Sequence, residues 1–489
     1  MKCSASVVAV LICLAVSSTS ANPGIQVSVS NKGLAFLKEV VLAFVKPYLD
    51  QVNIGGLDGD GYEIRNMRMH NLDLGETQVL LEEPDIFGVT AAGARGTLSA
   101  YFRVYLEKEI DIGIFKIPVP KLFDFGTTAS LTANHLNLNM KIKVEKNDQG
   151  KPKFSISSCD AAIGDIDVGV DLGGIEFFLE PLVNVVIDLF QGLFKGKIAD
   201  VLCDVAKDEL NSKAGDLTDL YDTTQFLIFG TYINIGLVTD PRVDGNKGII
   251  GLDGRCYSES RNPGQTFPFT LPQSPVLHDD NKMAEVSINQ FVFNTMIYSL
   301  WQNKVLDQTF TASDLLKILG RALRATELAR FNRQFGRYGT KALKISVSAR
   351  KAPKIFIKET GVTVTAEVSL AIGVDEIQAR PLAYLGARVS LGGEVMVENN
   401  DLSAHISTIQ VRASQSNVIP VDVLNKIIDA FLTEKVEFVL KKISSITFSI
   451  PSLYGFGTKD LTLVTRDVSF LYSEFYKFQP ILRHTVYSR

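Results

Sequence analysis

From Leu136 to Glu145 apolar and polar side chains alternate without a break: Leu136, Leu138, Met140, Ile142 and Val144 on one parity, Asn137, Asn139, Lys141, Lys143 and Glu145 on the other. A period of two sets the two groups on opposite faces of a strand, which predicts antiparallel sheet with one face buried and one in water. The same period runs through much of residues 62–144 and returns at Val362, Val364, Ala366, Val368, Leu370 and Ile372. Two stretches switch to a helical period. Residues 34–49 follow a short strand and a break at Asn31-Lys32-Gly33. They set Leu34, Leu37, Val41, Phe44, Val45 and Tyr48 on one face but Phe36, Val40 and Leu42 elsewhere, a helix apolar nearly all round. The second follows a strand (Ile163, Ile166, Val168, Val170, Leu172) and a Gly173-Gly174 turn. It runs from about 180 to 211, roughly 48 Å at 1.5 Å per residue. Its stripe (Leu182, Val186, Leu189, Phe190, Leu193, Ile198, Val201, Leu202, Val205, Leu210) needs a long surface to lie on. Acidic residues, Gly192 and Gly196 interrupt the apolar run before the ~20 residues of a membrane span.

Residues 107–126 break the alternation. Ile112, Ile114, Phe115, Ile117 and Val119 sit among Lys108, Lys116 and Lys121, which reads either as two strands turning at Pro118 and Pro120 or as an apolar hairpin tip with lysines at its base. Two more strands are expected at about 225–238 and 249–258. Pro263, Pro268, Pro272 and Pro275 then make an extended strap and a domain boundary. Beyond it the order repeats: strand, apolar helix, alternating strands, and a second helix from about Pro420 that turns Leu424, Ile428 and Phe431 inward. Helix to helix is about 146 residues in the first half and about 133 in the second, so the architecture is duplicated.

Residues 1–21 read as a secretory signal, with Lys2, an apolar run over 7–16 and small residues before Asn22, and Cys3 and Cys13 would leave with it. In the oxidising compartment this implies, Cys159 and Cys203 are expected to pair, while Cys256 is expected to be a buried small apolar residue. The formal net charge of −4 hides an asymmetry: residues 22–240 carry 19 basic and 31 acidic side chains, leaving 241–489 near +7. An acidic first half argues against nucleic acid as a partner. A mean hydropathy of +0.14 without a spanning helix implies apolar surface kept for something other than the chain's own core.

The five histidines (His70, His135, His278, His405, His484) are dispersed, with no metal-ligand spacing, and no nucleophile elbow, phosphate loop or dinucleotide fingerprint occurs. Residues 55–63 resemble a calcium loop only superficially, because the twelfth position from Asp58 is Met69; a surface turn is expected. The composition therefore favours binding over catalysis, with neither metal nor cofactor. A lipid hydrolase would require a histidine beside a serine and a carboxylate.

Four passages together carry a resemblance: NPGIQVSVSNKGLAFL, the Cys159/Cys203 pair framing strand and long helix, VLHDDNKMAEVSINQFVFNT after the strap, and TLVTRDVSFLY near the end. They resemble the bactericidal/permeability-increasing and lipopolysaccharide-binding protein family, which also includes plasma phospholipid and cholesteryl ester transfer proteins. The resemblance implies an α+β boomerang of two barrels, each a twisted antiparallel sheet with two helices, joined by a central sheet. In this sequence that gives barrels at 22–224 and 283–460, a central sheet at 225–260 and 461–478, and a linker at 261–282. It further implies an apolar pocket for phospholipid acyl chains in each barrel. The first would be lined by Ile25, Leu34, Leu37, Val41, Phe44, Leu182, Val186, Leu189 and Phe190, and the second by Phe291, Phe293, Ile297, Leu424, Ile428 and Phe431. The 108–121 tip would touch membranes or lipid particles. Members that bind endotoxin carry a basic cluster there, whereas here Glu107, Glu109 and Asp111 cancel the lysines. The expectation is a secreted, non-enzymatic lipid-binding or lipid-transfer protein. The alternative is an innate-immune protein that binds lipopolysaccharide or another bacterial glycolipid.

Overall fold

A computed structural model describes residues 22–35, 38, 53–59, 62–112, 115–170, 221–227, 229–258, 267–271, 282–376, 381–398, 401–426, 428–429, 446–449, 457–465 and 468–476, with isolated positions between 196 and 219. The expected secretory signal, most of both helices expected in the first half and most of the expected strap lie outside these residues. So do Leu37, Val41, Phe44, Ile114, Leu182, Val186, Leu189, Phe190 and Phe431. The chain divides into two compact units, one of Met1–Ser28, Asp222–Thr239 and Ile250–Arg489, the other of Val29–Tyr221 and Asp240–Ile249. Both are rich in sheet.

The Val29–Tyr221 unit is built on an antiparallel sheet in the order β2 (Asn53–Gly59), β3 (Tyr62–Asp73), β5 (Ile86–Ile112), β6 (Phe115–Lys146), β7 (Pro152–Val170), with β4 (Glu76–Glu82) on β5. The predicted alternation is realised in part, since from Leu138 to Val144 the apolar positions are half-buried rather than buried. Ile64, Met67, Leu98, Ala100, Phe102, Leu136, Ile163 and Ile166 fill the inner face, while polar partners such as Arg65, Arg68 and Asn137 stay wet. Within the stretch expected to be a surface turn, residues 55–59 and 62–63 are instead strand, paired as far as Gly59↔Tyr62. β5 and β6 pair from Ile86↔Lys143 to Ile112↔Phe115. Pro118 and Pro120 lie inside β6, so the strands do not turn there. Both prolines lack a donor on the same edge of that strand, and among the described residues β6 pairs with β7 only from Ala129↔Val170 onward.

In the other expected strand region the chain makes five short strands rather than two. β8 (Thr224–Phe226), β9 (Thr231–Asn234) and β12 (Cys256–Ser258) form one sheet, in the order β12-β9-β8. β10 (Arg242–Asp244) and β11 (Lys247–Leu252) join β1 (Ile25–Ser30), β13 (Ala284–Asn289), β21 (Gly457–Thr465) and β22 (Val468–Tyr476) in another, ordered β10-β11-β1-β13-β22-β21. The breaks are conformational: Phe229 (φ 49°), Gly230 (φ 68°) and Gly254 (φ 76°) turn the chain through the left-handed region.

β1 and β13 each pass from strand to helix with no loop. Ser30 ends β1 and its hydroxyl accepts the Gly33 N–H at 3.3 Å, so residues 31–35 are already helical and Asn31-Lys32-Gly33 is a first turn, not a break. Asn289 ends β13 and its side chain accepts the Phe291 N–H at 2.9 Å, which starts α1 (Gln290–Gln302).

The remaining strands make a sheet in the order β14 (Gln308–Phe310), β15 (Leu343–Ala349), β17 (Gly361–Val374), β18 (Ala383–Glu398), β19 (Asp401–Ser416), β20 (Ile446–Ser449), with β16 (Lys354–Lys358) on β17. One end is plugged. α2 (Ala312–Leu319), α3 (Ala325–Leu328) and α4 (Arg333–Gly336) lie between β14 and β15. Ala325 and Phe335 pack there with Leu343, Ile372, Val374 and Ala383 in a buried cluster.

Cys159 of β7 is bonded to Cys203, with Cα atoms 5.7 Å apart, as expected. Residues 199–200, 203–204 and 207–208 are helical, with Ala199 and Cys203 buried and Asp200, Asp204 and Asp208 exposed. The bond closes a 44-residue separation, for which loop entropy gives about 4 kcal/mol. Replacing both cysteines with serine should lower the denaturant-derived unfolding free energy by up to about 4 kcal/mol. An unchanged midpoint would show that the bond contributes nothing.

Candidate functional site

β1 and β13 have an inverted burial pattern. Gln26, Ser28 and Ser30, and Glu285, Ser287 and Asn289, are buried, whereas Ile25, Val27, Val29, Val286 and Ile288 are only half-buried. Folding alone favours the opposite, because apolar surface gains about 25 cal/mol per Å² when removed from water. The polar face is held by local bonds: the Asn289 N–H donates to Gly24 O at 2.8 Å, and Ser30 and Asn289 cap helices.

The helix that follows β13 divides into two faces. One is fully engaged: the Cys256 N–H donates to Thr295 Oγ1 (3.0 Å), Ser299 Oγ donates to Cys256 O (2.9 Å), and Asn294 both accepts from and donates to the Ile355 backbone. Phe291 belongs to this side, buried edge-on against Phe267 of the strap at 6.2 Å between centroids; Tyr298 meets Phe267 and Phe269. At 100° per residue the opposite side carries Phe293, Met296, Ile297 and Leu300, all apolar and all half-buried. Of the expected second-pocket residues, Phe293 and Ile297 therefore share a face, and Phe291 points away from them.

The apolar rows of β17–β19 behave in the same way. Cross-strand register aligns Val364, Leu391 and Ile409, and next to them Ala366, Val389 and Val411. Every member of these rows is half-buried, although Ile372 and Ala383, at the plugged end, are buried. A helix starting at 421 runs beside β19. Its Asn425 side chain accepts the Ala413 N–H at 2.8 Å and donates to Ala413 O, and Asp429 pairs with Arg412 at 2.5 Å. Leu424 and Ile428 on this helix are half-buried too. Of the first-pocket positions only Ile25 and Leu34 are described. Both are half-buried, and Ile25 Cγ1 lies 3.1 Å from where a Cβ on Gly254 would sit.

At the 108–121 tip only the backbone is described. Register sets Lys108 opposite Val119, Lys116 opposite Asp111, Ile117 opposite Ile110 and Phe115 opposite Ile112; Lys121 lies within β6. Elsewhere polar features do not converge. Beside the disulfide a cleft of about 360 Å³ is lined by Asp160, Asp200, Asp204 and Lys207 with Ala161 and Ala199. His70 Nε2 lies 2.9 Å from Ser99 Oγ, but on the exposed outer face of β3 and β5, where backbone groups are committed to the ladder. Among the described residues no three His, Cys, Asp or Glu side chains could hold a metal ion, and no helix is long and apolar enough to cross a membrane.

Cys256 is fully buried with its Sγ 3.9 Å from Gly254 O, and burial pushes its thiol up to about 12. It is a small apolar residue, as expected.

The LBP / BPI / CETP family model for the N-terminal domain matches residues 33–212, and that for the C-terminal domain matches residues 230–474. A BPI/LBP family protein of Arabidopsis thaliana is 23% identical over 381 residues, covering 77% of this chain and 73% of its own length. The bactericidal permeability-increasing protein of Sebastes schlegelii is 19% identical over 417 residues (81% and 82%), and the phospholipid transfer protein of Mus musculus 22% over 395 residues (78% and 75%). The crystal structure of lipopolysaccharide binding protein superposes with a TM-score of 0.53 at 17% identity, over 93% of this chain and 99% of that one, which shows the shared fold.

In protein beginning at Asn22, maleimide at pH 8 should modify no cysteine until denaturant is added and then one per chain; labelling of the native protein would contradict the burial of Cys256. Because the folded thiol is raised from 9.0 to about 12, its contribution to stability is complete below pH 9 and should fade as pH rises toward 12.

Proposed function

The chain belongs to the LBP / BPI / CETP family, and from that premise we propose that it is a secreted lipid-binding and lipid-transfer protein. In this reading each half holds phospholipid acyl chains against apolar surface that the chain leaves half-covered, and no covalent chemistry is done. The observation that carries it is the inversion in β1 and β13, where polar residues are buried and Ile25, Val27, Val286 and Ile288 are not. An acyl chain laid on such a face loses water along its length, about 0.8 kcal/mol for each buried methylene, while the headgroup stays wet. The half-buried faces of α1 and of β17–β19 supply the same kind of surface in the second half. The Cys159–Cys203 bond fits an oxidising, extracellular compartment. By sequence Glu107, Glu109 and Asp111 offset Lys108, Lys116 and Lys121, so the tip offers an anionic glycolipid little net charge, which favours less charged lipids over endotoxin.

Transfer of fluorescent phosphatidylcholine between neutral vesicles should therefore proceed with little change between about 0.05 and 0.5 M salt. Phe293→Asp with Ile297→Asp should slow it at least about tenfold, since each buried phenylalanine or isoleucine is worth roughly 1.5–3 kcal/mol. Endotoxin binding that collapses with salt, with no vesicle transfer, would replace this reading with glycolipid recognition.

A further inference from the structure

The turn joining β8 to β9 carries the two most exposed large apolar side chains among the described residues, Phe226 at 60% and Phe229 at 67%. This is not a loose loop. The Leu227 N–H donates to Thr231 O at 2.8 Å, and Asn303, at the end of α1, donates from Nδ2 to both Phe229 O and Gly230 O at 3.4 Å. Phe229 is held at φ 49°, where a bulky side chain is rare. Such a conformation persists only where its surroundings impose it, and here it turns an aromatic ring outward.

Below the tip the rings become polar at one end. Phe226 meets Tyr232 edge-on at 5.5 Å, Tyr232 stacks on Tyr257 at 6.1 Å, and the Tyr257 hydroxyl is 2.8 Å from Thr224 Oγ1. Beside Asn303, Lys304 and Asp307 are exposed and of opposite sign, and exposed Asp222, which accepts the Thr224 N–H at 2.9 Å, adds one negative charge, so the surroundings offer no basic patch to an anionic surface.

We propose that Phe226 and Phe229 form a lipid-surface anchor that inserts into the interfacial layer of a zwitterionic membrane or lipid particle. Two rings on a convex hairpin are far short of the roughly 800 Å² per partner of a stable protein interface, yet a membrane accepts a small wedge of this kind. Phenylalanine at the end, tyrosines beneath it and a nearby lysine match the order from acyl region to headgroup. The anchor is separate from the 108–121 tip. It goes beyond the carrier reading, because contact here requires no lipid in the interior.

The test is co-sedimentation of the full chain with phosphatidylcholine vesicles, comparing the native protein with Phe226→Ser/Phe229→Asn; asparagine tolerates the left-handed conformation at 229. The expected result is a fall in partition of about tenfold for each ring removed, with unchanged thermal unfolding and unchanged lipid content on extraction. In a second arm, the indole introduced by Phe229→Trp in a Trp301→Phe background should be quenched by lipids brominated near the headgroup. Equal partition of variant and native protein, or an unquenched indole on sedimented protein, would overturn the anchor. Loss of partition only on replacing Lys108, Lys116 and Lys121 would overturn it in favour of the other tip. Loss of extracted lipid with partition intact would count against the carrier reading and leave the anchor standing.

Discussion

Apolar surface held at the edge of water is the constraint on which the rest of this structure depends. A folded chain normally turns its aliphatic residues to the closed side of each sheet. Here β1 and β13 turn Ile25, Val27, Val286 and Ile288 to the half-open side and close the side that holds Gln26, Ser28, Glu285 and Ser287. Two of the buried polar groups, Ser30 and Asn289, are tied into bonds that also start helices. Ser30 and Asn289 each end a strand, cap the next helix and fix the angle at which strand becomes helix.

Rigid parts surround that surface. In the Ile250–Arg489 unit one end of the large sheet is closed by Phe335, Leu343 and Ala325. Asn425 satisfies both backbone groups of Ala413 on β19, and α1 is fastened to β12 and β16 through Thr295, Ser299 and Asn294. What these fastenings leave over is apolar: Phe293, Met296, Ile297 and Leu300, and the rows headed by Val364 and Ala366. A surface that is preorganised but uncovered can take up a flexible acyl chain without the protein ordering anything further.

Alternation made β17 and much of β3, β5, β6 and β7 legible in the sequence, since face and period are written residue by residue. The Cys159–Cys203 pairing was legible as well. Backbone signs were the weak point. Asn31-Lys32-Gly33 looks like a break but is a capped first turn, and Pro118 and Pro120 look like a turn but lie within β6. Phe229, which nothing local marks as left-handed, splits an expected strand in two. The resemblance places Phe291 with Phe293, two helical residues that lie 200° apart, and its neighbour Phe267 lies in the strap, where no periodicity leads. Met296 and Leu300 could have been found from the same wheel that places Phe293 and Ile297 together.

Native mass spectrometry of the protein purified from a secreting host, without detergent, tests the central claim most directly. The account predicts a mass above that of the polypeptide by that of bound phospholipid, released on collisional activation with the fold intact. A bare polypeptide mass from a folded, vesicle-exposed sample would contradict it.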